Sequence, residues 1–392
     1  MSGVAGNGTW RNWALALLPL VLLAAVLAAI LAMEPERLLT RGAPPVEELA
    51  FEQVRLGPEG ITARVVNDGP DPVRIAQVMV DEAYWRFEEE PAGALAHLQR
   101  ATVNIPYPWV EGEAHVLTLV SSTGVKFEHE IPVAIETPRP SGRFWGLFAL
   151  IGTYVGVLPV AVGLLWYPLV RRLGRRGLDF VLAATVGLLV FLFVDATEDG
   201  LEAGAGIASS YHGAVLFVLA AALAYLTIEM VGRRLASRRG AGGWPTALLV
   251  AIGIGLHNLG EGLAIGAAYA LGEATLGALL ILGFAIHNTT EGLAIVAPLA
   301  EERTRLPRLA LLGLIAGVPT IFGAWLGGLL YSGLWGVVFL ALGAGAIAQV
   351  VVQILRGMAK QRSIGSLLAS GPVVSGLAAG FAVMYLTGLI VG

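Results

Sequence analysis

The sequence predicts an all-α polytopic membrane bundle into which a small β-sandwich is inserted near the N-terminus. Of the 392 residues, 56% are hydrophobic and 14% are charged, whereas soluble domains carry about 25% charged residues. Long uncharged stretches follow one another over the C-terminal part, while one earlier segment shows short alternating runs. These features exclude an ordinary water-soluble protein. The chain has no cysteine, which also excludes disulfides and thiolate metal sites.

Residues 1–33 are expected to form an N-terminal transmembrane anchor. The run from Ala14 to Met33 contains no charged residue, and about 20 residues suffice to cross the hydrocarbon core. A signal peptide is the competing interpretation, but its apolar region is usually only about 7–15 residues long. The length therefore favours a retained anchor.

Residues 34–140 are expected to form an extracytoplasmic β-sandwich. Short alternating runs are typical of half-buried strands, and they lie at 61–66, 73–78, 116–120 and 126–131. Turn-forming residues at 67–70 and 121–124 separate these runs. The segment holds 18 acidic against 9 basic residues, a net charge of −9. It therefore differs from the rest of the chain in charge as well as in periodicity.

Residues 141–392 are expected to form a unit of eight transmembrane helices. The apolar stretches lie near 144–170, 178–201, 212–231, 245–271, 275–299, 308–331, 333–355 and 371–391. Basic residues occupy only the first, third, fifth and seventh connections, and the positive-inside rule makes those connections cytoplasmic. The N-terminus would then be cytoplasmic. Residues 34–140 and the C-terminus would lie on the extracytoplasmic side of the plasma or inner membrane.

Two adjacent predicted helices contain the same polar string. It reads His257-Asn258-Leu259-Gly260-Glu261-Gly262 in one helix and His287-Asn288-Thr289-Thr290-Glu291-Gly292 in the next. Residues four apart share one helix face, so each His and Glu forms a two-ligand pair near mid-membrane. Ionisable groups at that depth are costly and usually functional.

The two pairs offer a nitrogen and oxygen ligand set for a divalent metal. Two imidazoles and two carboxylates suit Zn²⁺, Fe²⁺, Mn²⁺ or Co²⁺, which makes His257, Glu261, His287 and Glu291 the candidate ligands. Gly262 and Gly292 are expected to permit close helix packing. Asn258 and Asn288 could serve a second ion or brace the helices, and the sequence weights the two roles equally.

Four acids form a stripe at the far end of the second predicted helix. They are spaced i, i+3, i+4 and i+7, and they are Asp195, Glu198, Asp199 and Glu202. Acids opposite the basic connections could concentrate cations at an entrance, although a solvated helix end explains them nearly as well. Three histidines of the β-sandwich, His97, His115 and His129, are interpreted as surface or interstrand residues rather than ligands.

The duplicated string resembles the motif of the Zrt/Irt-like (ZIP) family of divalent metal transporters, over residues 144–392. The resemblance implies transport of zinc or a similar metal towards the cytoplasm. It implies that His257, Glu261 and Glu291 are primary ligands, that His287 lies beside them, and that Asn258 and Asn288 occupy second-site positions. The metal would be the transported ion, and no cofactor is expected.

The chain also departs from the family pattern. Gly260 and Thr290 replace the usual helix-kinking prolines, and Val318 lies where many members have a second-site glutamate. Gln349 and Gln353 lie where acids or histidines are common. We therefore expect the second site to be weakened or absent.

Two other functions compete with transport. An intramembrane metal-dependent hydrolase could use the same ligands to activate water, but the chain lacks a His-Glu-x-x-His string and leaves no free general base. A receptor on a membrane anchor would leave the buried His and Glu pairs unexplained. The expected partners are divalent metal ions and the lipid bilayer. A homodimer and an unidentified ligand of the β-sandwich stay open, and no nucleic acid is expected.

Overall fold

The structure is a computed structural model that describes residues 17–19, 21–29, 44–137, 139–239, 243–270, 274–330, 333–359 and 364–391. Residues 1–46 form one compact unit and residues 47–392 form another. In the first unit, residues 17–19 and 21–29 are helical and apolar. The rest of the predicted 14–33 anchor lies outside the described residues.

The described part of the second unit contains eight helices that are long and apolar enough to cross a membrane. They are α1 (Gly142–Val170), α2 (Arg175–Ala205), α3 (Gly213–Arg239), α4 (Gly243–Ala270), α5 (Ala274–Val296), α6 (Leu306–Leu330), α7 (Gly333–Met358) and α8 (Gly371–Val391). A short helix at Ile364–Leu368 precedes α8. The prediction of a polytopic helical membrane bundle is confirmed.

The β domain consists of two four-stranded antiparallel sheets. Its strands are β1 (Leu49–Gly57), β2 (Gly60–Asn67), β3 (Ile75–Val80), β4 (Ala83–Trp85), β5 (Glu88–Glu90), β6 (Arg100–Ile105), β7 (His115–Ser121) and β8 (Lys126–Ile131). The sheet orders are β1-β2-β6-β5 and β4-β3-β7-β8. Fully buried residues from both sheets, such as Val65 and Leu117, form one core. The alternating runs did not predict β1, β4, β5 and β6, and the acidic run Glu88–Glu90 forms the edge strand β5.

Glycines bring the helices into backbone contact within two groups. In the first group, α4 packs on α6 and α1 packs on α5, and a Cβ added at Gly262 would lie 2.1 Å from the Thr320 carbonyl oxygen. In the second group, α8 packs on α2 and α7 packs on α3, and a Cβ at Gly345 would lie 2.0 Å from the Ala221 carbonyl oxygen. Between the groups the distances are longer: a Cβ at Gly253 would lie 2.7 Å from the Val350 side chain, and a Cβ at Gly343 would lie 3.1 Å from the His257 backbone. Each group is therefore more tightly interlocked than the boundary between them.

The β domain contacts the connection between α2 and α3. The Asp68 carboxylate accepts hydrogen bonds from the backbone N–H groups of Ser209 and Ser210, the second at 2.9 Å. The Ser210 hydroxyl also donates to the Asp68 carbonyl oxygen at 3.2 Å, and Arg100 donates to the Tyr211 hydroxyl at 2.6 Å. Asp68 thus accepts from N–H groups at the start of the turn Ser209–Tyr211, as a helix cap does. We call this end of the bundle the β-domain face, and the opposite end, which bears the basic connections, the arginine face.

Asp68→Asn is expected to release the α2–α3 connection from the β domain. Burial raises the pKa of Asp68, but the hydrogen bonds from Ser210 and Ser209 outweigh it, so this pKa lies below its ordinary value. The contact is therefore present above the ordinary aspartate pKa and is lost as the pH falls through the lowered value. Amide hydrogen exchange at Ser209 and Ser210 should be at least about tenfold faster in the variant, since these amides lose a charge-assisted partner. Glu128→Gln, at an exposed position on β8, is the control, and unchanged exchange in Asp68→Asn would contradict the assignment.

Candidate metal centre

The predicted ligands lie on α4 and α5, near the middle of each helix. His257 and Glu261 are on α4, and His287 and Glu291 are on α5. All four are buried, and Glu291 has no exposed surface. Because α4 packs against α5, the two halves of the duplicated string come together inside the bundle.

Glu261 connects the two halves by hydrogen bonds. Its Oε1 atom lies 2.5 Å from the His287 Nε2 atom, and its Oε2 atom accepts a hydrogen bond of 2.9 Å from the Asn288 side-chain amide. The same Oε1 atom is 3.3 Å from the His257 Nε2 atom. One carboxylate of α4 therefore contacts both imidazoles.

Glu291 has buried ligand atoms without hydrogen-bond partners among the described residues. This holds for both of its carboxylate oxygens, whereas the His257 Nε2 atom has the 3.3 Å contact with Glu261, which is too poorly aligned to count as a hydrogen bond. One ligand atom from each of His257, His287 and Glu291 lies within 4.8 Å of the others. Buried polar groups are nearly always paired, and a buried carboxylate without a partner is especially costly. This arrangement suits a cation placed between the three side chains.

The two asparagines of the strings brace neighbouring helices. The Asn258 side-chain amide donates to the Ala316 carbonyl of α6, and the Asn288 amide donates to the Val155 carbonyl of α1, each at 3.1 Å. The Oδ1 atoms of both asparagines are buried without a hydrogen-bond partner among the described residues. The bracing role is therefore observed, while a role in a second metal site stays a prediction.

The Val155 carbonyl oxygen can accept a hydrogen bond from Asn288 because of Pro159, which was not among the candidate residues. In an α-helix this carbonyl would accept from the N–H of residue 159, but Pro159 has none. The backbone from Thr153 to Val157 forms a π turn at the same place, a feature frequent at functional sites. A proline inside the first predicted span was the sequence signal for this contact.

Two glycines after the glutamates permit close helix packing, as predicted. A Cβ at Gly262 would meet the backbone of α6, and a Cβ at Gly292 would lie 2.4 Å from the Val160 carbonyl oxygen of α1. These contacts hold α4 against α6 and α5 against α1, directly beside the two carboxylates. Packing thus fixes the depth at which Glu261 and Glu291 lie.

Metal binding at this centre requires a change of hydrogen bonding. A histidine that binds a metal must offer a neutral nitrogen, whereas the His287 Nε2 atom is occupied by its 2.5 Å contact with the Glu261 Oε1 atom. Binding of an ion by His287 Nε2 would have to break this contact, which would free Glu261 to become a ligand. Ligand distances to Zn²⁺ are about 2.0–2.2 Å, and the ligand atoms of His257, His287 and Glu291 already lie within 4.8 Å of one another.

The acidic stripe lies on α2, which continues to Ala205 towards the β-domain face. Asp195, Glu198, Asp199 and Glu202 are all exposed. The four acids lie in the last eleven residues of α2, Asp195 being the furthest from its end. The role of the stripe as an entrance stays a prediction.

The opposite side of the centre is filled by apolar side chains. Val250 and Ile254 precede His257 on α4, and Ile295 and Leu299 follow Glu291 in the chain. All four are at most 1% exposed and belong to one cluster with residues of α2, α6 and α7. Buried apolar side chains therefore fill the bundle between the metal centre and the arginine face.

The positions implied for a second site hold no acid. Val318 and Gln353 are half-buried, and Gln349 is fully buried. Gln349 donates a hydrogen bond of 3.0 Å to Glu229 of α3, which also accepts from Arg233 and Arg356. Glu229 was not among the candidate residues, and its hydrogen bonds connect α3 to α7.

The three histidines of the β domain have separate partners. His97 contacts the Gly69 carbonyl oxygen at 2.9 Å, His115 contacts Asp81 at 2.7 Å, and His129 packs against the Phe51 ring. Burial lowers the pKa of His129. Among the described residues, the group of His257, His287 and Glu291 is the one cluster that could hold a metal ion.

No model of a known protein family matches this chain, and no curated protein matches it.

Proposed function

We propose that this protein is a ZIP-like transporter that moves divalent transition-metal ions, zinc first among them, towards the cytoplasm. The main support is the Glu291 carboxylate, which is fully buried, has no hydrogen-bond partner in the described part of the chain, and lies beside two histidines near the middle of α4 and α5. A dehydrated divalent ion would neutralise Glu291 and Glu261 together. Sites near mid-membrane are characteristic of transporters that alternate between the two faces.

The geometry favours transport over the alternative, an intramembrane metal-dependent hydrolase. A hydrolase needs a metal-bound water and a base to activate it. Here Glu291 is a proposed ligand, grouped with His257 and His287. Both oxygens of Glu261 are already in contact with His257, His287 or Asn288. No further carboxylate of the described strings is left for a general base. The protein is accordingly proposed not to be an enzyme.

The two helix groups suggest how the ion moves. All four proposed ligands lie on α4 and α5, which belong to the first group. Within each group an added Cβ would lie as close as 2.0–2.1 Å to a backbone oxygen, whereas the shortest such distance between the groups is 2.7 Å, at Gly253. We therefore propose that α1, α4, α5 and α6 slide as one body against α2, α3, α7 and α8 and carry the bound ion.

The charge distribution gives the proposed direction. With the arginine face in the cytoplasm, the acidic stripe and the β domain would lie outside the plasma or inner membrane. Buried apolar side chains fill the bundle between the proposed ligands and the arginine face, whereas the four acids of the stripe are exposed at the other end of α2. We propose that the ion arrives from the side of these acids.

Ion uptake by reconstituted vesicles tests the proposal. Vesicles would contain an entrapped metal-sensitive dye and would be offered Zn²⁺, Fe²⁺, Mn²⁺, Co²⁺ and Mg²⁺ separately. We expect saturable uptake of at least one transition metal and none of Mg²⁺, which prefers oxygen ligands over imidazole. A preparation that binds metal and hydrolyses a substrate without moving any ion would favour the hydrolase instead.

Removal of residues 1–140 is expected to leave part of the uptake. The proposed ligands and both helix groups lie between Gly142 and Val391, so the bundle should transport without the β domain if it folds alone. Uptake would be measured per inserted protein, with membrane insertion checked by protease protection. Complete loss of uptake in correctly inserted protein would show that the β domain belongs to the transport pathway.

A further inference from the structure

A cavity of about 1280 Å³ lies between the β domain and the end of α6. Its walls come from β1, from the connection between β4 and β5, from the linker before α1, and from Gly328 and Leu329 of α6. The cavity is separate from the metal centre, since none of the proposed ligands lines it. Drug-sized ligands occupy pockets of about 300–1,000 Å³, so this cavity has room for a small molecule and its bound water.

Three arginines from three different segments line the cavity. They are Arg55 of β1, Arg86 between β4 and β5, and Arg139 of the linker. Arg86 forms no hydrogen bond or ion pair within the described part of the chain, and Arg139 makes a single ion pair of 3.6 Å with Glu136. Two acids, Glu59 and Glu88, also line the walls. The arginines therefore exceed the acids by one charge.

Arg55 connects the cavity to the bundle. Its Nη2 atom donates a hydrogen bond of 3.1 Å to the Leu329 carbonyl oxygen, and it pairs with no carboxylate of the described residues. Burial and the charge of Arg64 lower the pKa of Arg55. The guanidinium has five N–H donors, so donors are left over after the contact with Leu329. An anion in the cavity would satisfy them and offset the repulsion from Arg64.

The other walls suit the carbon skeleton and polar groups of an organic ligand. Trp85 and Phe87 supply aromatic surface, and Gln53, Thr62 and Asn104 supply hydrogen-bonding groups. Ligand sites typically combine apolar walls with a few placed polar groups. Arginine forks match carboxylates in bidentate geometry.

We propose that this cavity is a binding site for a small organic anion with two or more carboxylates, held by Arg55, Arg86 and Arg139. The ligand would enter from solution on the β-domain face. It would contact the β domain and α6 at once, since Arg55 already touches the Leu329 carbonyl oxygen. The site would give the β domain a ligand independent of the transported metal.

Calorimetric titration of the full-length protein tests this site. The protein would be metal-free, in nanodiscs of phosphatidylcholine, and the probe would be tricarballylate, a tricarboxylate. We expect saturable binding of one molecule per chain. Arg86→Gln and Arg55→Gln should each weaken binding at least about tenfold, because each removes a charge-assisted donor pair. Arg74→Gln is the matched control, since Arg74 is exposed on the β domain and does not line the cavity.

Several results would overturn the proposal. They are the absence of saturable binding, equal weakening by Arg74→Gln, and tighter binding of the trication spermidine than of tricarballylate. Nanodiscs containing phosphatidylglycerol separate a soluble ligand from a lipid headgroup. Equal affinity in the two bilayers supports a soluble ligand, whereas a tenfold loss in the anionic bilayer would assign the arginines to lipid phosphate. Arg86 is exposed, so its replacement should leave the thermal unfolding temperature unchanged, and that measurement accompanies each titration.

Discussion

Glu291→Gln is expected to abolish zinc uptake while leaving the fold intact. Glutamine has nearly the shape of glutamate, but it removes the negative charge that a divalent ion would neutralise at this buried position. Loss of an outer-shell partner of a metal ligand typically costs 10–100-fold in affinity or activity. Loss of a ligand itself should therefore lower uptake by at least about 100-fold. The measurement is the initial rate of Zn²⁺ uptake by vesicles at matched protein content.

Glu301→Gln is the matched control for this variant. Glu301 is an exposed glutamate in the connection between α5 and α6, away from the metal centre. The uptake rate of Glu301→Gln should therefore equal that of the unmodified protein. The thermal unfolding temperature of Glu291→Gln should equal or exceed that of the unmodified protein. The variant no longer buries a carboxylate that has no hydrogen-bond partner among the described residues. Normal uptake by Glu291→Gln would remove Glu291 from the proposed ligand set.

Gly262→Ala is expected to destabilise the bundle and to stop uptake. The added Cβ would lie 2.1 Å from the Thr320 carbonyl oxygen and 2.9 Å from the Ala324 nitrogen, both in the backbone of α6. Backbone atoms cannot turn away as a side chain can, so α4 and α6 would have to separate next to Glu261. Overpacking costs about 1–3 kcal/mol and sometimes more. We expect the thermal unfolding temperature in detergent to fall by roughly 5 °C or more.

Gly388→Ala separates this packing effect from the ordinary difference between glycine and alanine. Gly388 is on α8, where an added Cβ would meet nothing within 4 Å. Alanine is the better helix former by about 1 kcal/mol, so this variant should be as stable as the unmodified protein or slightly more so. Equal stability of Gly262→Ala and Gly388→Ala would contradict the close packing of α4 on α6.

The helices were predictable from the sequence because their signal is local. Long apolar runs predicted all eight spans, and the alternating runs indicated β2, β3, β7 and β8. The i, i+4 spacing placed His257 above Glu261 on one face of α4, which the structure places 3.3 Å apart. Periodicity of this kind depends only on residues close together in the chain.

The contacts between helices were not predictable, because they depend on which faces meet. Helix periodicity does not predict that Glu261 contacts His287 more closely than His257, or that Asn288 donates to Val155. Pro159 marked a free carbonyl, but its partner lies on another helix. The same holds for Asp68, which was interpreted as part of a turn and also accepts hydrogen bonds from the α2–α3 connection.

Zinc uptake by vesicles that contain His257→Ala, compared with vesicles that contain the unmodified protein, tests the central claim most directly. The buried His257 Nε2 atom forms no hydrogen bond with a described residue and has one ion-pair contact there, at 3.3 Å from Glu261, so its loss should remove a ligand and disturb few other contacts. We expect saturable uptake by the unmodified protein and, for His257→Ala, uptake no greater than that of protein-free vesicles. Equal uptake by the two proteins would contradict transport through the His and Glu centre.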